Sequence, residues 1–312
     1  MRRIIAVNLA RGLVGCVMLC WTGLASAYLF SFSGSGQPTV KPSARVVVLT
    51  WESTEQLLEL GITPIAVADR DDYRIWVGKP QIPADVINVG SRTEPNLGLL
   101  AELKPDLIIM GPSLQSQQPA LARIAPTLTI EAYSAAQNNP AVAREIFLRL
   151  AHVFGRDTYA QQRILQLDQQ FDAWRLALQA HFRGHLPKIC LVRFNSPTVF
   201  NIYGENSMPY DVMTRLGFAS ACPVPASATP WGTIQRRTLE LASLQQGILV
   251  YFEPFAQKDR LFTSPFWQHF PLVRQGHVVA LPSTWTFGGE FSKGYIAEAL
   301  TQALLRLPAD AY

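Results

Sequence analysis

This chain lacks the usual marks of an enzyme. It has no Gly-x-Ser-x-Gly nucleophile elbow, since Gly34-Ser35-Gly36 falls in a linker, and no phosphate loop or Gly-x-Gly-x-x-Gly turn. Its five histidines are scattered at 152, 181, 185, 269 and 277. His181 and His185 stand four apart, but Gly184 ends the helix between them, so the pair does not share a face as metal ligands would. Charge is also scarce, at 16% of residues, against 48% hydrophobic, which excludes a disordered chain. The net charge of +4 drops to +1 without Arg2, Arg3 and Arg11, because the first 27 residues hold no acid. No basic field remains to recruit nucleic acid. Cysteine is limited to Cys16, Cys20, Cys190 and Cys222.

The N-terminus sets the compartment. A basic stretch to Arg11 precedes the apolar run Gly12–Leu24, and Ala25-Ser26-Ala27 fits a signal-peptidase site. Residues 1–27 are therefore expected to be a secretory signal and 28–43 a flexible Ser/Gly/Pro linker. Two alternatives are an uncleaved anchor and lipidation at Cys16, where Leu13-Val14-Gly15-Cys16 resembles a lipoprotein box. In an oxidising compartment Cys190 and Cys222 either pair or stay as two buried thiols; their spacing does not decide.

The most regular stretch is Asp157–Gly184. Ile164, Leu167, Phe171, Trp174, Leu178 and Phe182 recur at steps of three and four, with no Pro or Gly before Gly184. The pattern predicts one helix about 40 Å long, N-capped by Asp157 and stopped by Gly184. Short apolar strands alternate with helices on both sides of it. In 44–156 the strands are expected at 45–49, 62–67, 86–90, 106–110 and 127–130. In 185–312 they are expected at 188–193, 198–203, 248–252 and 278–281. Leu60-Gly61 and Leu216-Gly217 end equivalent helices in the two halves. The fold class is α/β: two mostly parallel-sheet lobes joined by one long rigid helix, with a ligand cleft between them.

Ligands bind beyond the carboxyl ends of such strands, which selects the loops 51–53, 69–79, 91–96, 111–118, 204–207, 226–233 and 283–289. Four tryptophans fall in them: Trp51, Trp76, Trp231 and Trp285. Exposed indoles are costly unless something covers them, so four together predict a ligand wall, with Phe287 and Tyr203 extending it. Trp174 and Trp267 are expected in the core. Arg92 is the cation placed in these loops, a planar fork suited to grouped oxygens; a surface pair with Glu94 is its alternative.

Several segments carry a family resemblance: Leu57-Leu58-Glu59-Leu60-Gly61-Ile62, Tyr73-Arg74-Ile75-Trp76-Val77, Gly90-Ser91-Arg92-Thr93-Glu94-Pro95-Asn96-Leu97, Gly204-Glu205-Asn206-Ser207, Trp231-Gly232 and Pro265-Phe266-Trp267-Gln268. Over residues 44–305 the chain resembles the helical-backbone periplasmic binding proteins for ferric hydroxamate siderophores, the soluble components of ABC importers. The resemblance implies that Arg92 donates to hydroxamate oxygens and that Trp51, Trp76, Trp231 and Trp285 line the pocket. It also implies that exposed acids, Glu240 and Glu94, dock the lobes on an inner-membrane permease with its ATPase. Leu114 and Phe287 stand where tyrosines are expected. The implied protein is a periplasmic monomer with no cofactor and no metal ligands of its own. Three hydroxamates neutralise Fe³⁺, and an aromatic pocket with one arginine suits a neutral complex; a tris-catecholate, at −3, would need more cations. Haem and cobalamin are alternative ligands on the same fold. A secreted hydrolase is the alternative of another class, and it has no nucleophile–base pair to support it.

Overall fold

Alternation along the strands decides how the layers stack. In the computed structural model, which describes residues 30–32, 40–41 and 43–309, Val46 and Val48 face one core while Val47 between them faces another. The expected signal peptide, Cys16 and most of the 28–43 linker lie outside the described residues.

The first lobe runs β1 (Phe30–Phe32), β2 (Val46–Val48), α1 (Trp51–Glu59), β3 (Ala66–Val67), α2 (Arg70–Trp76), β4 (Ile87–Asn88), α3 (Leu97–Leu103), β5 (Leu107–Met110), a 3-10 turn over 112–117, α4 (Gln118–Leu121), β6 (Thr127–Ile130) and α5 (Asn139–Val153). Its sheet has the order β1-β6-β5-β2-β3-β4, parallel throughout except for β1, which pairs antiparallel with β6. Two expectations change here. Residues 30–32 are not linker but an edge strand, because Phe30 and Phe32 pack on the core. The 69–79 stretch is not all loop: Asp71 and Asp72 sit in the first turn of α2, where acids complement the helix dipole.

The long helix α6 is Asp157–His181. Its cap is Arg156 rather than Asp157, whose carboxylate faces His152 Nδ1 at 3.2 Å instead of turning back on the helix. Arg183 and Gly184, both at positive φ, end it. The second lobe follows as β7 (Ile189–Ser196), β8 (Val199–Tyr203), α7 (Met208–Arg215), β9 (Thr233–Arg237), a 3-10 turn over 238–243, β10 (Ile248–Phe252), α8 (Lys258–Phe262), α9 (Pro265–Gln268), α10 (Pro271–Arg274), β11 (Val278–Leu281) and α11 (Glu290–Leu304). Its sheet order is β11-β10-β7-β8-β9. β11, β10 and β7 are parallel, whereas β8 and β9 form an antiparallel meander, so this sheet is mixed. Cys190 and Cys222 are paired, tying β7 to the loop after α7.

The two lobes share more than one helix. A single continuous core takes in Val48 and Ile109 of the first sheet, Leu191 and Val250 of the second, Leu167 and Phe171 of α6, and Ile296 and Leu300 of α11. The outer face of each sheet has a separate core, one around Ile108 and Leu100, the other around Val192 and Trp267. Each buried side chain of this size contributes about 1.5–3 kcal/mol, so a core common to both lobes resists their separation.

Polar contacts reinforce this docking at α11. Glu55 of α1 lies wholly buried and accepts from the N–H groups of Gly289 (3.2 Å) and Ser292 (2.7 Å) and from the Ser292 hydroxyl. A carboxyl group from one lobe thus caps a helix of the other. Glu59, one turn on, accepts from Tyr295 of α11 and from Arg163 of α6. Arg144 of α5 bridges Glu290 of α11 (2.8 Å) and Asp168 of α6 (2.6 Å). Gly288 and Gly289 are required here, since a Cβ on either would strike Glu55, Ser292 or Gln56.

Burial pushes the Glu55 carboxyl up to about 8, with the Ser292 and Gly289 donors offsetting part of the rise and Glu59 adding to it. A raised folded-state value stabilises most below the ordinary value of 4.5, and the contribution is lost as pH rises towards 8. Glu55→Gln removes this ionisation. Its melting temperature, compared with wild type, is therefore expected to gain from pH 5 up to about pH 8 and to level off above it, as measured by calorimetry. Reducing the Cys190–Cys222 bond, 32 residues apart, is expected to lower unfolding free energy by roughly 3–4 kcal/mol, read from denaturant curves with and without reductant.

Candidate functional site

The carboxyl ends of β2, β3 and β4 deliver the first wall. Trp51 opens α1, directly after β2, and is buried. Arg92 follows β4 and lies flat on it, its guanidinium carbon 3.5 Å from the indole centroid. Asp69, after β3, holds the arginine in place: its Oδ2 accepts from Arg92 Nε at 3.0 Å and from the Arg92 backbone N–H at 3.1 Å. The alternative partner, Glu94, is not used. Asp69 takes a left-handed backbone conformation, φ 47°, one that Asp tolerates better than most residues.

The second wall is the loop between β11 and α11. Trp285 meets Trp51 edge-on at 4.9 Å, and Phe287 meets Trp285 at 5.3 Å. Trp231, from the loop before β9, meets Phe287 at 5.4 Å. Tyr133, from the loop after β6, stacks at a tilt on Trp231 at 5.4 Å. The rings of Trp51, Trp285, Phe287, Trp231 and Tyr133 form one belt shared by the two lobes, with the Arg92 guanidinium over Trp51. Trp231 is its most exposed member, at 48%. The indole N–H groups of Trp51 and Trp285 are buried without a partner, an uncommon condition for a buried donor. Further hydrogen bonds cross between the lobes here: the Tyr133 hydroxyl donates to the Gly288 carbonyl (2.7 Å) and Asn139 Nδ2 to the Pro230 carbonyl (2.8 Å).

Three sequence-predicted residues sit differently. Tyr203 is buried below the belt, its ring against Phe252 and its hydroxyl donating to Thr286 Oγ1 (3.2 Å), so it supports the 284–287 loop from behind. Trp76 ends α2 and is half-buried; it packs over Arg193 at 5.8 Å rather than on another belt ring. Leu114 is fully buried in the outer core of the first lobe, away from the belt. Glu94 and Glu240 are exposed on different lobes. Glu240 also accepts from the Arg237 backbone N–H at 3.1 Å, closing the turn after β9.

Two residues were missed from sequence. Tyr133 follows an expected strand, so the same rule that chose the other loops would have found it. Burial, with the charges of Glu52 and Glu55 nearby, pushes its hydroxyl well above the ordinary value and keeps it a neutral donor. Arg193 gave no signal, lying inside an apolar strand. It is 7% exposed and donates to the carbonyls of Thr284 (3.0 Å) and Glu253 (3.2 Å), fixing the loop that carries Trp285. Among the described residues no group of three or more His, Cys, Asp or Glu side chains is arranged to hold a metal. No helix of the described residues is long and apolar enough to cross a membrane.

Comparison with known proteins agrees with this architecture. The Escherichia coli K12 iron(3+)-hydroxamate-binding protein FhuD is 29% identical over 283 residues, 89% of this chain and 93% of the relative. The achromobactin-binding periplasmic protein of Dickeya dadantii is 27% identical over 281 residues, 82% of this chain and 86% of the relative. The crystal structure of the Fe3+–Desferal-bound siderophore-binding protein FhuD of Vibrio cholerae superposes with a TM-score of 0.81 at 39% identity, covering 84% of this chain and 98% of that one. The periplasmic binding protein family model matches residues 46–284, and with the two-lobed fold and the inter-lobe belt in place, the chain belongs to that family.

Proposed function

We propose that this protein captures an iron(III)–hydroxamate siderophore between its lobes in the periplasm and delivers it to an inner-membrane ABC permease. The observation that carries this reading is the aromatic belt with Arg92 laid across its inner end and held by Asp69. Aromatic faces suit the amide and hydrocarbon exterior of a neutral complex. The unused N–H groups of a guanidinium suit hydroxamate oxygens. Charge balance points the same way: the positive charge of Arg92 is already met by Asp69, and Arg193 is turned into backbone carbonyls. A triply charged catecholate complex would find little uncompensated positive charge in the belt. The iron arrives saturated by its chelator, so the reading requires no metal ligand from the protein and no chemical step. In this reading Glu94 and Glu240, exposed on separate lobes, are the acids that meet permease arginines. The relatives of this size that bind siderophores support the ligand class, and the N-terminal signal supports export, with Cys16 an alternative lipid anchor.

A tryptophan fluorescence titration tests the ligand. Ferrichrome-type and linear ferric hydroxamates are expected to quench saturably, while a ferric catecholate, haem and cobalamin are not; response to one of the latter alone would overturn the hydroxamate reading. Arg92→Ala is expected to weaken hydroxamate binding about tenfold or more, from the roughly 1.5–3 kcal/mol of a charged hydrogen bond, with Glu94→Ala within about twofold. Trp285→Ala is expected to weaken binding more than Tyr203→Phe, whose hydroxyl faces away from the belt. The same titration on the four variants checks both orderings.

A further inference from the structure

Arg193 is a buried cation that the fold leaves without an acid. On β7, Ile189 and Leu191 point into the shared core, and Arg193 continues that row toward the carboxyl end of the strand. The carboxyl ends of such strands are where ligands bind. Among the described residues its guanidinium makes no ion pair. Glu253 offers it a carbonyl (3.2 Å) and sends its own carboxylate to the Phe255 N–H (2.8 Å) and to Lys258 (3.5 Å). Lys293, the other cation buried to this degree among the described residues, has Glu290 beside it. A buried charge met only by neutral oxygens is unfavourable, and the strand pattern calls for an apolar side chain at this position.

What the planar fork joins accounts for it. Nη2 donates to the Thr284 carbonyl at 3.0 Å, on one side of Trp285. Nε donates to the Tyr203 hydroxyl at 3.4 Å, which itself donates to Thr286 on the other side. The guanidinium also lies over two rings, Phe252 of its own lobe at 5.4 Å and Trp76 of the first lobe at 5.8 Å. Trp76 stands beside the belt. Tyr73, three residues earlier on α2 and so on the same face, meets Trp51 edge-on at 6.3 Å. Gly78, two residues later, runs so close to the second lobe that an added Cβ would lie 3.7 Å from the Ser283 carbonyl oxygen. One guanidinium therefore meets an indole of the first lobe and the backbone that carries an indole of the second.

We propose that Arg193 is a positioning residue of the binding site: it locks Trp76 of the first lobe and Trp285 of the second into one wall, and the affinity for the ferric complex depends on that lock. Arg193 acts through the two indoles and does not touch the ligand. Lysine cannot take its place. An ammonium is a point donor, without the fork that spans Thr284, Glu253 and Tyr203 together and without a flat face for Trp76. This inference rests on the hydroxamate reading above and gives Trp76, which lies off the belt, its part in the site.

The test titrates ferric desferrioxamine B calorimetrically into wild type, Arg193→Lys and Arg193→Met, and into the same two substitutions made in a Trp76→Leu, Trp285→Leu background. Near-ultraviolet circular dichroism of each ligand-free protein is recorded beside it. In the wild-type background both substitutions are expected to weaken binding about tenfold, the scale of one charged hydrogen bond, and to change the indole bands. In the double-leucine background they are expected to change binding by less than about twofold and to leave the bands unchanged, because the residues through which Arg193 acts are gone. Arg193→Lys keeps the buried charge and decides the matter should Arg193→Met not fold. Wild-type affinity in Arg193→Lys, or an equal loss of binding in both backgrounds, overturns the proposal and leaves the hydroxamate reading standing. Absence of binding by wild type overturns that reading and the claim on affinity with it. Dichroism needs no ligand and judges the lock separately: unchanged indole bands in Arg193→Lys overturn it.

Discussion

Glu55 reaches out of the first lobe into the first turn of a helix that belongs to the second, and the site depends on that contact. The carboxyl meets the N–H groups at the start of α11. Directly before that start runs the loop carrying Trp285 and Phe287. Fixing the helix end therefore fixes the second wall against Trp51, which stands one helical turn before Glu55 on α1. Gly288 and Gly289 admit the approach because no Cβ stands in the way. The shared core around α6 and α11 does the same work over a larger area. The cleft is thus the front edge of a continuous interface, more than a gap spanned by one rigid rod.

Charge in the cleft follows from what the interface leaves over. Most buried acids at the junction are neutralised by arginines of α5, α6 and α7; burial pushes Asp168 up, yet Arg144 and Arg215 outweigh it and hold it below the ordinary range. At the belt the pairing is sparser, with Arg92 on Asp69. A surface of aromatic faces with near-balanced charge selects ligands by shape and by a few directed hydrogen bonds rather than by net attraction.

Much of this was legible in the sequence because it rests on periodicity. The stripe from Leu167 to Leu178 does face the core, and the expected strands fall on the observed ones except in length. Gly61 and Gly217 both take positive φ at helix ends, as their parallel positions suggest. What escaped depends on partners distant in sequence. β1 and β9 are strands because a neighbour pairs with them, not because of their own pattern. The docking of α11 on α1 involves residues more than 230 positions apart. Tyr203 carries the same chemistry as a pocket tyrosine, and only the positions of Arg193 and Thr286 turn its hydroxyl away.

The shared core makes a direct statement about motion: ligand binding should rearrange belt side chains while the lobes keep their separation. Glu94 and Glu240, both exposed and on different lobes, are suitable label sites. The distance distribution between spin labels on a Glu94→Cys, Glu240→Cys protein, with the Cys190–Cys222 bond intact, measures this separation by pulsed electron resonance. Packing of both sheets on one core predicts overlapping distributions with and without a ferric hydroxamate. A clear shift to a shorter or longer distance on saturation would contradict it and would mean that α6 alone, as a hinge, governs the cleft.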